Sequence, residues 1–431
     1  MLVPRRVLGC LLAALLLALA ACGSRVPERE FEDRRGQSGP AAEPLKVGII
    51  TSATSPVGGD AFTGPRDGAQ AYFTMLNRQG GLRGRPVRVL TCDDGGSGVG
   101  SNTCVQRLVE RDKVFALVAG ASLDYAGAPR VSAAGVPDIG GQPIGAAYDT
   151  YPHLYGIYGS WAPRDGRPGW DGKLYGGTEV YRYFKREHGA RTAAVVAYNQ
   201  AASASYARLV TRGLRAEGYK VIPLTADFAL PDFAALAARM RERRADLVFD
   251  ALDTHGNAQL CEAMDAAGVR PTAKVTNVQN WNAAVPGDYK RAPRCRNALW
   301  ATGSSRNYQD TGHPAVREFR REMARQHRTG AHGERLSQWQ LEGWAAARWL
   351  RDAAYACREL TRACVERYVE RRKPYTAHGL LLPVSYERHR EPPRERRTCL
   401  SVARWRDGRG WVTQGEMTRT CFTVPQLGYR P

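Results

Sequence analysis

Apolar residues in this chain follow two alternating rhythms. Short unbroken runs, such as 46–50 (KVGII) and 114–119 (VFALVA), suit strands buried on both faces. Between them the apolar positions recur at helical spacing: Ala69, Tyr72, Phe73 and Leu76 predict a helix that ends at Gly80-Gly81. A second strand is expected over 86–91, ending at Cys92-Asp93-Asp94, then a helix carrying Val105, Leu108 and Val109. After the run at 114–119, a further helix and a strand at 136–140 complete one series. A second series follows the Gly-, Trp- and Pro-rich stretch 156–177. Its strands are expected at 193–198, 220–224 and 246–252, with helices near 206–217, 232–243 and 257–267. Past Trp300 come long helices, one rich in Trp and Ala over 339–356, and a β-hairpin around Asp407-Gly408. Two successive parallel series predict an α/β fold of two Rossmann-like, doubly wound lobes.

The N-terminus breaks both rhythms. Arg5 and Arg6 precede an apolar stretch over 7–18, interrupted only by Gly9, and Leu19-Ala20-Ala21-Cys22 follows. The stretch is shorter than the about 20 residues of a transmembrane helix and reads as a removable signal. Its end is a lipobox-like cleavage site and resembles bacterial lipoprotein signals, in which the cysteine becomes the lipidated first residue. Residues 1–21 are then signal, and 22–44 a lipid-anchored flexible tether spanning roughly 25 Å. An ordinary secretory signal cut elsewhere, with Cys22 incidental, is the competing reading. No later segment is apolar enough to span a bilayer. About 390 residues remain beyond the tether, more than a single core accommodates.

Charge and cysteines refine this picture. The net charge of +20 raises nucleic acid or an anionic membrane as partners. Only eight of the 62 basic residues are Lys, however, and the arginines are scattered, apart from the proline-broken loop 388–397. No nucleic-acid partner is expected. Setting aside Cys10 and Cys22, eight cysteines remain: Cys92, Cys104, Cys261, Cys295, Cys357, Cys364, Cys399 and Cys421. An even number in an exported chain suggests disulfides, although eight cysteines allow roughly a hundred pairings. Pairing of sequence neighbours is the simplest scheme. On one continuous helix Cys357 and Cys364 would lie about 10 Å apart, too far to bridge. Their pairing requires a break, for which Thr361 offers an N-cap. The spacings lack CxxC pairs, which argues against zinc, and no metal or cofactor is expected.

Residues 47–94 carry the most specific pattern. A strand leads into a Thr/Gly/Pro loop, a long helix, the turn Gly80-Gly81-Leu82-Arg83-Gly84-Arg85, and a strand ending in Asp93-Asp94. The order and spacing resemble type I periplasmic binding proteins of the branched-chain amino acid ABC transporter family. Gly135-Val136-Pro137 and the segments 193–218 and 246–268 extend the resemblance over most of 45–386. It implies two lobes joined by a three-segment hinge. The N-terminal lobe would comprise 45–155 plus about 300–375, the C-terminal lobe 156–299 plus about 376–431.

Ligands of open α/β sheets sit beyond the carboxyl ends of the strands, where helix N-termini favour an anionic group. The loops there nominate Ser55, Ser122, Asp124, Tyr125, Gly141 and Gln142 in the first lobe. In the second they nominate Ser203, Tyr206, Asp253, Gln279 and Trp281. The resemblance carries a ligand-binding Ser onto Ser122 and the next loop's contacts onto Gly141 and Gln142. Tyr125, Tyr206 and Trp281 would supply aromatic walls. The chain departs from amino-acid-binding members at Ala202, where they carry Tyr, and at Asp253-Thr254, where they carry a Tyr pair. Their ammonium-holding Glu has no counterpart in Val278-Gln279-Asn280-Trp281, and Asp253 is the replacement at hand. Blander roles stand beside these: Ser122 or Asp253 as a helix cap, Tyr206 as a core residue, Asp93 and Asp94 as a strand-end turn rather than a metal pair.

Catalysis finds little support. G-x-S-x-G, H-E-x-x-H and G-x-x-x-x-G-K-[ST] are all missing, and the eight His are scattered. The expectation is an exported, lipid-anchored monomer that is not an enzyme. It would capture a small polar solute, amino acid or amide-like, and deliver it to an ABC permease–ATPase complex. The alternative is a ligand-sensing lipoprotein presenting its closed state to a signalling partner.

Overall fold

The first β/α series builds a parallel sheet of five strands in the order β2-β1-β3-β4-β5. The strands are β1 (Leu45–Thr51), β2 (Val87–Asp93), β3 (Ala116–Val118), β4 (Asp138–Gly141) and β5 (Leu154–Gly156). The computed structural model describes residues 43–56, 58–329, 336–387 and 389–431. The expected signal, Cys22 and the tether up to residue 42 lie outside the described residues. Helix α1 (Gly59–Arg78) follows β1, and Ala69, Tyr72, Phe73 and Leu76 are all buried as their spacing required. Gly81 then turns the chain at φ +79°, where a Cβ would lie 2.2 Å from the Arg85 carbonyl oxygen. The next helix differs from expectation: α2 (Gly98–Val105) continues as a π-helical turn over Gln106–Arg111. Helix α3 (Ala128–Ala133) precedes β4.

The second series builds a seven-stranded sheet, order β14-β13-β11-β10-β9-β7-β8. Its parallel part comprises β7 (Thr192–Tyr198), β8 (Lys220–Ala226), β9 (Leu247–Ala251), β10 (Ala273–Thr276) and β11 (Leu299–Gly303). A short strand β6 (Leu174–Gly176) and helix α4 (Glu179–His188) come first. Helices α5 (Ala201–Ala216), α6 (Phe233–Glu242) and α7 (Thr254–Ala267) connect the parallel strands. Short helices α8 (Val285–Asp288) and α9 (Pro293–Asn297) lead into β11. The chain then returns to the first sheet as α10 (Pro314–Thr329), α11 (Gln338–Ala356) and α12 (Arg362–Val369). Strands β13 (Ser401–Arg406) and β14 (Gly410–Thr413) form the hairpin expected at Asp407-Gly408 and extend the second sheet antiparallel to β11. Two small ribbons finish the fold: β12 (Glu395–Cys399) with β15 (Cys421–Pro425), and β16 (Leu427–Tyr429) with β6. Among the described residues no helix is long and apolar enough to cross a membrane.

Helix α11 locks the first lobe. Ser337 caps it, accepting the Gln340 N–H while the Gln340 side chain accepts the Ser337 N–H. It crosses α1 with the backbones in contact. A Cβ on Gly68 would lie 1.8 Å from the Gln340 oxygen, and one on Gly343 1.9 Å from that of Pro65. Above this contact Trp344 meets Tyr72 edge-on at 4.8 Å.

The chain passes between the sheets three times, and the crossings are tied to one another. Ser160 N donates to Ser385 O at 3.1 Å, Leu382 N to Ser304 O at 2.8 Å, and the Tyr386 hydroxyl to Gly156 O at 2.7 Å. The eight cysteines among the described residues pair as sequence neighbours: Cys92–Cys104, Cys261–Cys295, Cys357–Cys364 and Cys399–Cys421. The break required for the third is present. Helix α11 stops at Ala356, and Thr361 caps α12 by accepting the Cys364 N–H at 3.2 Å.

The second core contains a charge. Lys274 on β10 and Asp250 on β9 pair at 2.6 Å with both side chains 0 % exposed, and the Lys274 ammonium also donates to Asn257 on α7. Removing one partner of such a pair leaves the other uncompensated in a low-dielectric interior. Asp250→Ala is therefore expected to destabilise the protein by about 3–5 kcal/mol, read by urea unfolding. A loss under about 1 kcal/mol would mean that the ammonium finds solvent.

Candidate functional site

In the first lobe the loops at the carboxyl ends of the strands are laced together by Asp94. Ser52 Oγ donates to Asp94 Oδ1 at 2.6 Å, Ser122 Oγ donates to Oδ2, and Gly96 N to Oδ1 at 2.8 Å. Ser52 Oγ in turn accepts the Leu123 N–H at 2.8 Å, and Gln142 N donates to Gly120 O at 2.7 Å. Ser122 thus braces the loop after β3 and caps no helix. Asp93 accepts N–H groups of Thr54 and Gly95 as a strand-end turn does. Among the described residues no group of three or more His, Cys, Asp or Glu could hold a metal ion. Ser55 is 7 % exposed and donates its N–H to Ser52 O, while Asp124 is exposed. At Gly141 a Cβ would collide with the Tyr148 hydroxyl, so this position serves a close approach.

Beneath these loops Asp138 is buried, 1 % exposed, and its Oδ2 accepts the hydroxyls of Tyr125 at 2.8 Å and Tyr148 at 3.0 Å. Tyr125, expected as an aromatic wall, is instead a half-buried donor to this carboxylate. Oδ1 has no protein partner. It borders a cavity of about 10 Å³ lined by Gly120, Ser122, Tyr125, Gln142 and Tyr148, room for a single water. Burial pushes the Asp138 carboxyl up to about 6, against the two tyrosine hydroxyls, which hold it down.

Gln142 is 3 % exposed, and its side-chain amide donates to Glu342 Oε2 at 2.9 Å. Glu342, on α11, is 0 % exposed and also accepts the Ser305 hydroxyl at 2.5 Å and the Tyr158 hydroxyl at 3.0 Å. Burial pushes its carboxyl up to about 7, opposed by the bonds from Ser305, Gln142 and Tyr158.

The second lobe distributes its nominated residues widely. Ser203 is a brace: its Oγ donates to Ala251 O at 2.6 Å and accepts the Tyr198 N–H at 2.9 Å. Asp253 takes the capping role, accepting the Gly256 N–H at 2.7 Å at the start of α7 and the Tyr198 hydroxyl at 3.1 Å. Tyr206 is 43 % exposed on α5 and is not a core residue. Trp281 is a correction. It is 0 % exposed and packs on Trp411, centroids 6.1 Å apart, so it offers no wall to a ligand. Gln279 alone of the nominated residues lines a further cavity, of about 690 Å³. Asp60, Thr63 and Asp67 of α1 face Thr254 and His255 of α7 across it, with Asn282 at its edge. That volume suits a small molecule. An arginine-lined groove of about 560 Å³ between α5 and β8 draws on the second lobe only.

Three residues at this junction escaped the sequence reading. Phe62 and Trp339, centroids 5.5 Å apart, form an apolar cluster with Ala121, against which Ile144 and Val278 pack. The cluster joins loops of both lobes. The third is Glu342. The one available signal was an acidic residue inside the Trp- and Ala-rich stretch over 339–356.

A family model described as "Periplasmic binding protein" matches residues 44–409. The fold is similar to the substrate-binding protein of an ABC transporter from Aeropyrum pernix, at 14 % identity and a TM-score of 0.68, over 89 % of this chain and 97 % of that one. An extracellular ligand-binding receptor from Verminephrobacter eiseniae has 16 % identity and a TM-score of 0.66 over 86 % and 99 % of the two chains. The branched-chain amino acid transporter substrate-binding protein LivJ from Streptococcus pneumoniae, solved with isoleucine, has 14 % identity and a TM-score of 0.63 over 89 % and 99 %. Among curated proteins none matches this sequence.

The two raised carboxyls set a pH dependence. A carboxyl whose folded pKa lies above its unfolded value contributes stability that is complete below the unfolded pKa and is lost as pH rises through the folded one. For Asp138 that loss spans from about 4 to about 6. The stability of the wild type relative to Asp138→Asn should fall as pH rises through this window, read by urea midpoints. A difference that stays flat would show that Asp138 is ionised and solvated in the native state.

Proposed function

The chain belongs to the periplasmic binding protein family, and on that premise we propose that it is an extracytoplasmic, lipid-anchored solute-binding protein of an ABC importer. It captures a small polar solute, amino acid or amide-like, between its lobes. The observation that carries this reading is the cavity of about 690 Å³ framed by α1 of the first lobe and α7 of the second. Its lining is amides, hydroxyls and charges of both signs: Gln279, Asn282, Thr63, Thr254, Asp60, Asp67 and Arg66. Such a lining supports a zwitterionic or amide-bearing solute over an apolar one. LivJ, solved with isoleucine, supports the amino-acid class.

Capture by such a protein needs only a higher affinity for the closed state than for the open one. The lobe boundaries follow the three crossings: 45–155 plus about 300–375 on one side, 156–299 plus about 376–431 on the other. Support comes from the hydrogen bonds Ser160–Ser385 and Leu382–Ser304, which tie the crossings where a hinge is needed. On the first lobe Asp60 and Thr63 of α1 offer the solute polar groups; on the second Gln279 offers its amide. Cys22 carries the lipid, and the tether holds the binder near its permease, raising effective concentration without tight docking.

A thermal-shift screen over amino acids, amides, urea derivatives, sugars and aromatic acids tests the binding role. A true solute at about 100 times its Kd should stabilise the protein by about 2.7 kcal/mol. Gln279→Ala should weaken it about tenfold, as loss of one hydrogen bond does. No stabilising compound in any class would contradict the reading, and a solute bound equally by Gln279→Ala would misplace the site. Cys22→Ser should release the protein from the membrane fraction; retention there would contradict the anchor.

A further inference from the structure

Arg208, Arg212 and Arg215 line one side of the groove of about 560 Å³ between α5 and β8. All three are exposed, and no carboxylate lines the groove. Among the described residues none of the three forms an ion pair. Arg182 and Arg296 of the same lobe differ: they meet Glu217 at 2.9 Å and Asp407 at 2.6 Å. Spacings of four and three residues place the groove arginines on one face of α5, where like charges repel. Arg215, in the last turn, complements the helix dipole, but Arg208 at mid-helix has no such compensation. An anion among the three guanidiniums relieves that repulsion and takes charge-assisted hydrogen bonds from them.

The opposite wall is largely apolar. Val195 and Ala197 of β7 stand in register with Pro223 and Thr225 of β8, so the four share one face of the sheet. Ala204 and Ala207 of α5 border the same space, and their small side chains leave it open. Strand β8 ends the sheet order, so the groove lies at the sheet's edge. At Arg212 it meets a second opening of about 360 Å³, bordered by Lys173 and Arg430 and again by no carboxylate. A bare inorganic anion would leave the apolar wall unused, and a neutral chain would leave the arginines uncompensated. A volume of this size accommodates a whole small molecule.

We propose that this groove is a second ligand site, for an organic anion that carries an aliphatic chain. The carboxylate lies among Arg208, Arg212 and Arg215, and the chain lies along Val195, Ala197 and Pro223. The site draws on the second lobe alone, apart from the cavity between α1 and α7, and does not rest on the solute-binding reading above.

Calorimetric titration of the full chain in nonionic detergent with octanoate tests this, with detergent alone subtracted and affinities referred to free ligand. Octanoate should bind one to one, and each methylene removed on the way to butanoate should weaken binding about two- to fourfold. Octyltrimethylammonium, with the same chain and the opposite charge, should not bind. Arg208→Gln with Arg212→Gln should weaken octanoate at least tenfold while the urea midpoint stays at the wild-type value, because both side chains are exposed. Wild-type affinity in that double variant would place octanoate elsewhere and overturn the proposal, as would no binding of octanoate at all. Inorganic phosphate or glycerol phosphate, the head of an anionic lipid, binding as tightly as octanoate would also overturn it, since the chain would then contribute nothing. Should the double variant fail to fold, an affinity independent of chain length in the unmutated protein overturns it.

Discussion

A single buried carboxylate, Glu342, sits where the three crossings between the sheets meet, and much of the molecule is arranged to keep it satisfied. A charge in that position is costly unless every lone pair finds a donor. Ser305, Tyr158 and Gln142 supply them, drawn from elements far apart in sequence. To be reached by all three, Glu342 must ride on a helix pressed into the first lobe. The backbone contact of Gly68 and Gly343 across α1 and α11 makes that possible. The hinge, the loop after β4 and the helix pair are thus one physical problem with one solution.

The same device recurs on a smaller scale. Asp94 gathers the loops after β1 and β3 through Ser52 and Ser122. Asp253 caps α7 and anchors Tyr198. Each carboxylate organises neutral donors on a strand-end loop, where backbone N–H groups would otherwise lack partners. The loops of the first lobe are braced from below, which leaves the cavity between α1 and α7 to be shaped by amides, hydroxyls and charged groups.

Much of this architecture was legible in the sequence. Buried parallel strands read as unbroken apolar runs, and the helix over Ala69, Tyr72, Phe73 and Leu76 read as a stripe, because each pattern follows from local geometry. The pairing of Cys357 with Cys364 was also legible, since reach on a helix demanded a break and Thr361 could begin the next one. The site was less so. Trp281 stands on a strand-end loop, yet its ring turns into a core completed by Trp411, far along the chain. Position on a loop does not fix which way a side chain faces. The role of Glu342 was hidden for the same reason: its partners Gln142 and Tyr158 lie 200 and 184 residues away. Asp253 carried both readings in sequence, and only the distance to Gly256 N decides for the cap.

The central claim is that two lobes, joined by crossings that meet at Glu342, close on a solute held between α1 and α7. Small-angle X-ray scattering of the purified protein, with and without a saturating solute, measures this most directly. The account predicts a smaller radius of gyration in the solute-bound state, with the folded core unchanged. A protein that binds its solute at an unaltered radius of gyration would contradict it.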